Sequence, residues 1–259
     1  MMYNAYGTQV TIPANGYRHV AYVYPTTSYS TAMEISLDLQ VVAGGWSSFF
    51  LAPSSNGTGT SSVNAAMFKL ESAQQAQFGY DSVSGMSWGR WQGSWVTLNP
   101  TLGTVTTATT GNLHWFASPM QTQAITLPKT GTFTYTYAGG TTPTDNNGTL
   151  GALVGTPAFS ADWSAQTVSL TGLSVSMPAS SGPIGTFGAV QMNASASGVP
   201  ILPGANFKTT PTVTCNPSCP GATGVIGGQF AGKGGLGVGI GYGLQSGSQV
   251  INGVSAFRR

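Results

Sequence analysis

Reactive side chains are scarce in this chain, and the first question is whether any are spaced for chemistry. Beyond tyrosine, 259 residues offer six acids, eight Lys/Arg, two His and two Cys. Gly85-Met86-Ser87-Trp88-Gly89 has the G-x-S-x-G spacing. That spacing makes a nucleophile only on a strand–turn–helix elbow, with an acid and then a histidine later in the chain. Here Trp88, Trp91 and Trp95 follow in a strand-like run, and the last histidine, His114, precedes Asp145 and Asp162. Ser87 is therefore expected to be a strand residue, not a nucleophile.

Gly232-Lys233-Gly234-Gly235-Leu236-Gly237 fits G-x-G-x-x-G, and Gly227 to Lys233 fits the first seven positions of a phosphate loop. Gly234 then replaces the Ser/Thr that would hold magnesium. No helix follows to lend its N-terminus to a phosphate, and no acid follows Asp162 to hold a ribose. These glycines read as strand and turn. Glu34 and Asp38 share a strand face but lie roughly 13 Å apart at strand rise, beyond the about 5–9.5 Å of glycosidase carboxylates. His19 and His114 read as packed or surface histidines. Asn56, Asn147 and Asn193 open glycosylation sequons, although Asn-Gly is first a turn signal. No metal, cofactor or catalytic residue is assigned.

Cys215 and Cys219 are the two cysteines, in Cys-Asn-Pro-Ser-Cys-Pro-Gly. They fit a small disulfide at a hairpin tip. Zinc needs four ligands and none lies nearby in sequence, and a redox C-x-x-C has a different spacing. A disulfide implies an oxidising compartment.

Composition agrees. Charged residues are 5%, against about 25% in an ordinary soluble domain, and 37 glycines with many Thr, Ser, Asn and Gln take their place. The net charge of +2 is scattered along the sequence without a basic stripe, which argues against nucleic acid. The opening Met-Met-Tyr-Asn-Ala-Tyr shows no signal-peptide pattern, so the start is expected to be truncated from a longer exported chain. No stretch approaches the ~18 apolar residues of a membrane helix.

The elements that would carry these residues are strands. In residues 130–145, Phe133, Tyr135 and Tyr137 alternate with Thr132, Thr134 and Thr136, giving one aromatic and one hydroxyl face. Gly139-Gly140 and Pro143 end the run. Met33 to Val41 alternates as cleanly. Further strands are expected at 17–24, 46–52, 86–97, 112–118, 157–163, 166–177, 186–193, 206–214 and 249–258. A short helix is possible at 65–78, which lacks Gly and Pro. Glycines at 235, 237, 239, 241 and 243 alternate with Leu236, Val238, Ile240, Tyr242 and Leu244. One face of that strand therefore has no side chains, as happens where something bulky approaches.

Several of these stretches resemble the β-barrel domain of transferrin-binding protein B-like surface lipoproteins, in the version found at the C-terminus of FecR-domain proteins. The carriers are Gly85 to Trp91, Asn112 to Trp115, Leu127 to Tyr135 running on to Thr142-Pro-Thr-Asp145, and the closing Gly228-Gln-Phe-Ala-Gly232, Gly241-Tyr242 and Gly253 to Arg258. They cover residues 80–259 well and 17–79 loosely. The resemblance implies an antiparallel barrel of about eight strands behind a smaller β-rich handle, surface or periplasmic exposure, and ligand binding often tied to iron acquisition. No binding residue is carried over from the family.

The sequence thus predicts an all-β protein with a handle over 1–80 and an antiparallel barrel over 81–259. It is read as a non-catalytic binding module of an outer membrane, cell surface or periplasm, with an unknown protein or small ligand as partner. The alternatives are a structural or self-assembling surface protein and a transmembrane barrel. A filled barrel would leave recognition to loops, expected at Asn99 to Gly111, Pro178 to Gly185 and Asn216 to Thr223. Asn216, Pro217 and Ser218 are the foremost candidates.

Overall fold

The computed structural model describes residues 2–3, 9–10, 18–25, 33–38, 48–51, 66–70, 74–99, 104–117, 127–202 and 205–259. Side chains are described for 76–90, 92–93, 111–112, 114–116, 127–202 and 205–259. Every regular element there is a strand. Strands β1 (Met2–Tyr3) and β2 (Gln9–Val10) pair with each other. A front sheet contains β3 (Arg18–Pro25), β4 (Met33–Asp38), β5 (Ser48–Leu51), β6 (Ala66–Leu70), β7 (Gln74–Tyr80), β8 (Ser87–Asn99) and β9 (Thr104–Ala117).

An eleven-stranded sheet follows. Its strands are β10 (Thr132–Gly140), β11 (Thr144–Asp145), β12 (Ala152–Leu153), β13 (Ala158–Asp162), β14 (Thr167–Met177), β17 (Val190–Pro200), β18 (Asn206–Thr209), β19 (Thr212–Asn216), β20 (Thr223–Ala231), β21 (Gly237–Ser246) and β22 (Gln249–Arg258). Between β14 and β17, the strands β15 (Ser180–Gly182) and β16 (Gly185–Phe187) make a small separate hairpin.

All pairings in the large sheet are antiparallel, and the segment 206–216 turns it into a barrel. Its first half, β18, pairs with β20, while its second half, β19, pairs with β17. The partner changes around Pro211, which has no N–H to give to a ladder. Going round, the eight staves are 206–216, β20, β21, β22, β10, β13, β14 and β17. This is the expected antiparallel barrel of about eight strands. Its rim end carries the turns at 146–149, 178–189, 217–222 and 247–248, and its basal end carries 163–166, 201–202, 205 and 232–236.

Side-chain alternation fills the inside. Tyr135, Phe159, Trp163, Phe207, Phe230 and Phe257 are all at most 2% exposed, among Leu170, Leu173, Val175 and Met192. Their rings touch in tilted and edge-on pairs, with Trp163 and Phe230 4.6 Å apart and Tyr135 and Phe159 5.5 Å apart. Eight staves enclose little more than their own side chains, so this core is packed tight.

The glycine-faced strand is β21. Val238, Ile240, Tyr242 and Leu244 point into the barrel, and the alternate glycines lie on the outer wall. The wall is small-residued at Ala231, Gly237, Gly239 and Ala256, and the front sheet supplies the missing bulk. Met86, Trp88 and Phe116 pack there with Ala231, Val254 and Ala256. A Cβ on Gly239 would stand 2.6 Å from Met86 Cε and overlap the Phe116 ring. The expected bulky neighbour is therefore an aromatic layer outside the barrel, covering its wall.

Several expectations are corrected. Within 65–78 the described residues form no helix: 66–70 lie in β6 and 74–78 in β7, paired to the two halves of β8, and ladder bonds outweigh a weak local preference. Of the loop expected at Asn99 to Gly111, Asn99 ends β8 and Thr104 to Gly111 is strand, because the β-branched run Thr104-Val105-Thr106-Thr107 extends β9 along β8; residues 100–103 lie outside the described residues. Gly235 sits in the basal turn at φ +66°, so the glycine face begins at Gly237. Strands expected at 186–193 and 206–214 are each divided, at 188–189 and 210–211. Strands β8 and β9 pair within the front sheet, and β10 is the first strand of the large sheet. The side chains of Glu34, Asp38, His19, Trp91, Trp95 and Asn56 lie outside the described residues.

Candidate functional site

The rim end is organised by one buried carboxylate. Asp145 is fully buried, and its Oδ1 accepts the backbone N–H groups of Asn147 (3.0 Å) and Thr149 (2.8 Å). Its Oδ2 accepts the Ser180 hydroxyl at 2.6 Å. A carboxyl group taken out of water needs hydrogen-bond partners, and here they tie the 146–149 turn to the β15–β16 hairpin. Asn147 completes the clamp: its amide donates to Gly185 O (2.8 Å) and its Oδ1 accepts Ile184 N–H (3.1 Å). Asn146 does the same toward the neighbouring turn, donating to Ser248 O at 2.8 Å and accepting from Val250 N–H at 3.2 Å. Of the three sequon asparagines, Asn147 is thus fully engaged by its own fold.

The disulfide tip stands beside this clamp. Cys215 and Cys219 are bonded, with Cα atoms 5.6 Å apart. Asn216 pairs with Gln191 at the start of β17, just after the hairpin. Asn216, Pro217 and Ser218 are exposed on this tip. Leu150 and Ile184 add exposed apolar side chains, at 49% and 51%. The rim turns contain no Asp, Glu, Lys or Arg. What they offer is backbone, hydroxyl and amide groups with a little apolar surface, held in place from below.

A second polar cluster lies where the front sheet meets the barrel. His114 on β9 is fully buried, with Nδ1 2.7 Å from Thr141 Oγ1 and Nε2 2.7 Å from Thr144 Oγ1. Thr141 Oγ1 also accepts Val254 N–H at 3.1 Å. Beside His114, the Arg90 guanidinium donates to Asn112 Oδ1. Burial, reinforced by the Arg90 charge, pushes the His114 pKa down to about 3, so the ring is neutral at ordinary pH. The cluster is structural: it joins the sheets and holds no substrate-facing atom. It was missed by residue-type reasoning, although both halves of it, Asn112 to Trp115 and Thr142 to Asp145, were singled out as motifs.

The tempting motifs resolve as strand chemistry. Ser87 is buried in β8, opposite Ala117 and Tyr80, and both nitrogens of His114 are taken by threonines. Gly232 to Leu236 is a hairpin turn with Gly232, Gly234 and Gly235 at positive φ. Asp81 bonds Ser84 and Arg258. Burial alone would raise its pKa, but these partners outweigh burial and lower it. Burial raises the Tyr135 phenol to about 12, and its hydroxyl donates to Gly235 O at 2.8 Å. Among the described residues no three His, Cys, Asp or Glu side chains gather as metal ligands would.

No family model matches the chain, and no curated protein matches it. Solved structures do. The chain is similar to a transferrin binding protein B variant from Haemophilus parasuis at 13% identity and TM-score 0.41, over 93% of this chain and 45% of that one. It is similar to transferrin binding protein B from Neisseria meningitidis at 12% identity and TM-score 0.39, over 93% and 43%. A structure described as a surface lipoprotein matches at 12% identity and TM-score 0.35, over 95% and 99%. The chain spans less than half the length of the two transferrin-binding proteins. These are proteins of the kind that the sequence motifs resemble.

Proposed function

We propose that this chain is a non-catalytic β-barrel binding module, exposed at a cell surface, outer membrane or periplasm, whose partner is recognised by the uncharged rim. The observation that carries this reading is the pairing of a filled interior with a clamped rim. Tyr135, Phe159, Phe230 and Phe257 leave no space for an internal ligand, while Asp145, Asn147 and the 215–219 disulfide fix turns rich in hydrogen-bonding groups at one end. Loops on a rigid scaffold are the usual carriers of recognition. The structural unit that presents them begins after Ala117, with residues up to there forming the handle. A link to iron acquisition rests on the sequence resemblance.

The test is binding of the chain to immobilised transferrin and, separately, to itself, measured by surface plasmon resonance. Replacing Asn216-Pro217-Ser218 by Gly-Ser-Gly should weaken transferrin binding at least tenfold with an unchanged melting temperature. Because the rim has no charge, affinity should change little between low and physiological salt. Binding that survives loss of the tip and of the β15–β16 hairpin would contradict the rim reading. Self-binding without transferrin binding would favour the self-assembling alternative.

A further inference from the structure

Charge that is scattered along the sequence is gathered in space. Among the described residues five cations are exposed, and four of them, Lys129, Lys233, Arg258 and Arg259, stand at the basal end. Lys208 lies higher on the wall, exposed on β18 opposite Gly227 of β20. Lys233 occupies the turn at 232–236. Arg259 donates its N–H to Leu236 O at 2.8 Å and lays its guanidinium over the Phe133 ring at 4.3 Å. Lys129 follows Leu127, whose Cδ2 is 3.1 Å from where a Cβ of Gly235 would be. Two carboxylates share this end, and both are engaged. Asp81 bonds Ser84 and Arg258, and Asp162 accepts the N–H groups of Ser164 and Ala165 at 2.9 and 3.0 Å. Among the described residues Lys129, Lys233 and Arg259 have no carboxylate in ion-pair reach.

Apolar surface adjoins these cations. The 81–86 turn packs on the basal turn, with Ser84 O 3.2 Å from the Cβ position of Gly232. It exposes Val83 at 50%, and Tyr80 just before it is 60% exposed. Cations flanked by an exposed tyrosine and an aliphatic side chain suit a lipid surface that carries phosphate: the cations meet headgroups while the amphipathic side chains enter the interface. A nucleic acid would use the cations but would gain nothing from Val83. The rim turns, at the opposite end, carry no Asp, Glu, Lys or Arg.

We infer that the basal end docks on an anionic lipid surface, with Lys129, Lys233 and Arg259 meeting headgroup phosphate and Tyr80 and Val83 entering the interface, so that the rim faces away. This does not depend on which partner the rim binds. The test is co-sedimentation of the full chain with vesicles of phosphatidylcholine alone or containing phosphatidylglycerol. Each cation near such a surface is worth about fivefold in partitioning. The chain should bind the anionic vesicles and leave the neutral ones. Lys129→Gln and Lys233→Gln should each lower partitioning about fivefold, whereas Lys208→Gln, with the same loss of charge, should leave it unchanged. Tyr80→Ser should lower it as well. Equal binding to both vesicles would overturn the inference, as would a Lys208→Gln variant as impaired as Lys233→Gln. Stronger Lys233-dependent binding to a DNA duplex, or release by inorganic phosphate beyond that caused by chloride of equal ionic strength, would also overturn it by assigning the cations to another anion.

Discussion

Replacing Gly239 by valine is the sharpest perturbation of the contact between front sheet and barrel. The Cβ alone would fall 2.5 Å from Phe116 Cε2 and 2.6 Å from Met86 Cε, well inside van der Waals contact. Both neighbours belong to the front-sheet layer, and each is at most 1% exposed, so neither can swing into solvent. Overpacking of this kind costs about 1–3 kcal/mol. Losing glycine's freedom in the unfolded chain returns about 0.4–1 kcal/mol; because the Cβ alone already overlaps the Phe116 ring, the overpacking cost falls at the upper end of its range and the net loss is about 2 kcal/mol. At about 2–4 °C per kcal/mol for a chain of this size, the melting temperature should fall by several degrees in calorimetry. Gly188→Ala is the control, since a Cβ there would meet nothing within 4 Å. A double variant with Phe116→Ala should lose less stability than the two singles added, because each relieves the other. An unchanged melting temperature in Gly239→Val, or strict additivity with Phe116→Ala, would refute the packing of this wall.

Three further outcomes are expected. Reducing Cys215–Cys219 opens a ring so short that chain entropy accounts for only about 2 kcal/mol, so far-UV circular dichroism should be unchanged and faster amide exchange confined to 215–223. Asn147→Ala removes the bonds that clamp the hairpin and should cost about 1–2 kcal/mol, with amide protection lost at 180–187 and kept in β10 and β22. His114 has a folded pKa of about 3 against 6.5 when exposed. The folded state therefore binds fewer protons, and the stability this contributes is full above pH 6.5 and is lost as pH falls toward 3. His114→Gln should flatten urea-melt stability against pH between 4 and 6.5, and an unaltered slope would contradict the burial of the ring.

What was legible in the sequence followed from side-chain alternation. The Phe133-Tyr135-Tyr137 face and the Val238-Ile240-Tyr242-Leu244 face both point into the barrel, because period two leaves a strand only two faces to choose between. The empty face of β21 signalled a bulky neighbour but could not say which, since Phe116 and Met86 lie over a hundred residues earlier. Pairing partners were illegible for the same reason. Nothing local tells β8 and β9 to join the front sheet, or segment 206–216 to change partners near Pro211. The disulfide tip was readable from its spacing. The Asp145 clamp was not, because its partners Ser180 and Asn147 are ordinary turn residues until the fold brings them together.

The central claim is that recognition belongs to the rim of a filled barrel. Hydrogen–deuterium exchange of the chain, with and without its bound partner, tests this most directly. The account predicts new protection at 146–150, 180–187 and 216–223, with the strands around Tyr135, Phe230 and Phe257 unchanged. Protection that leaves those three segments untouched, or that appears among the interior strands, would contradict it.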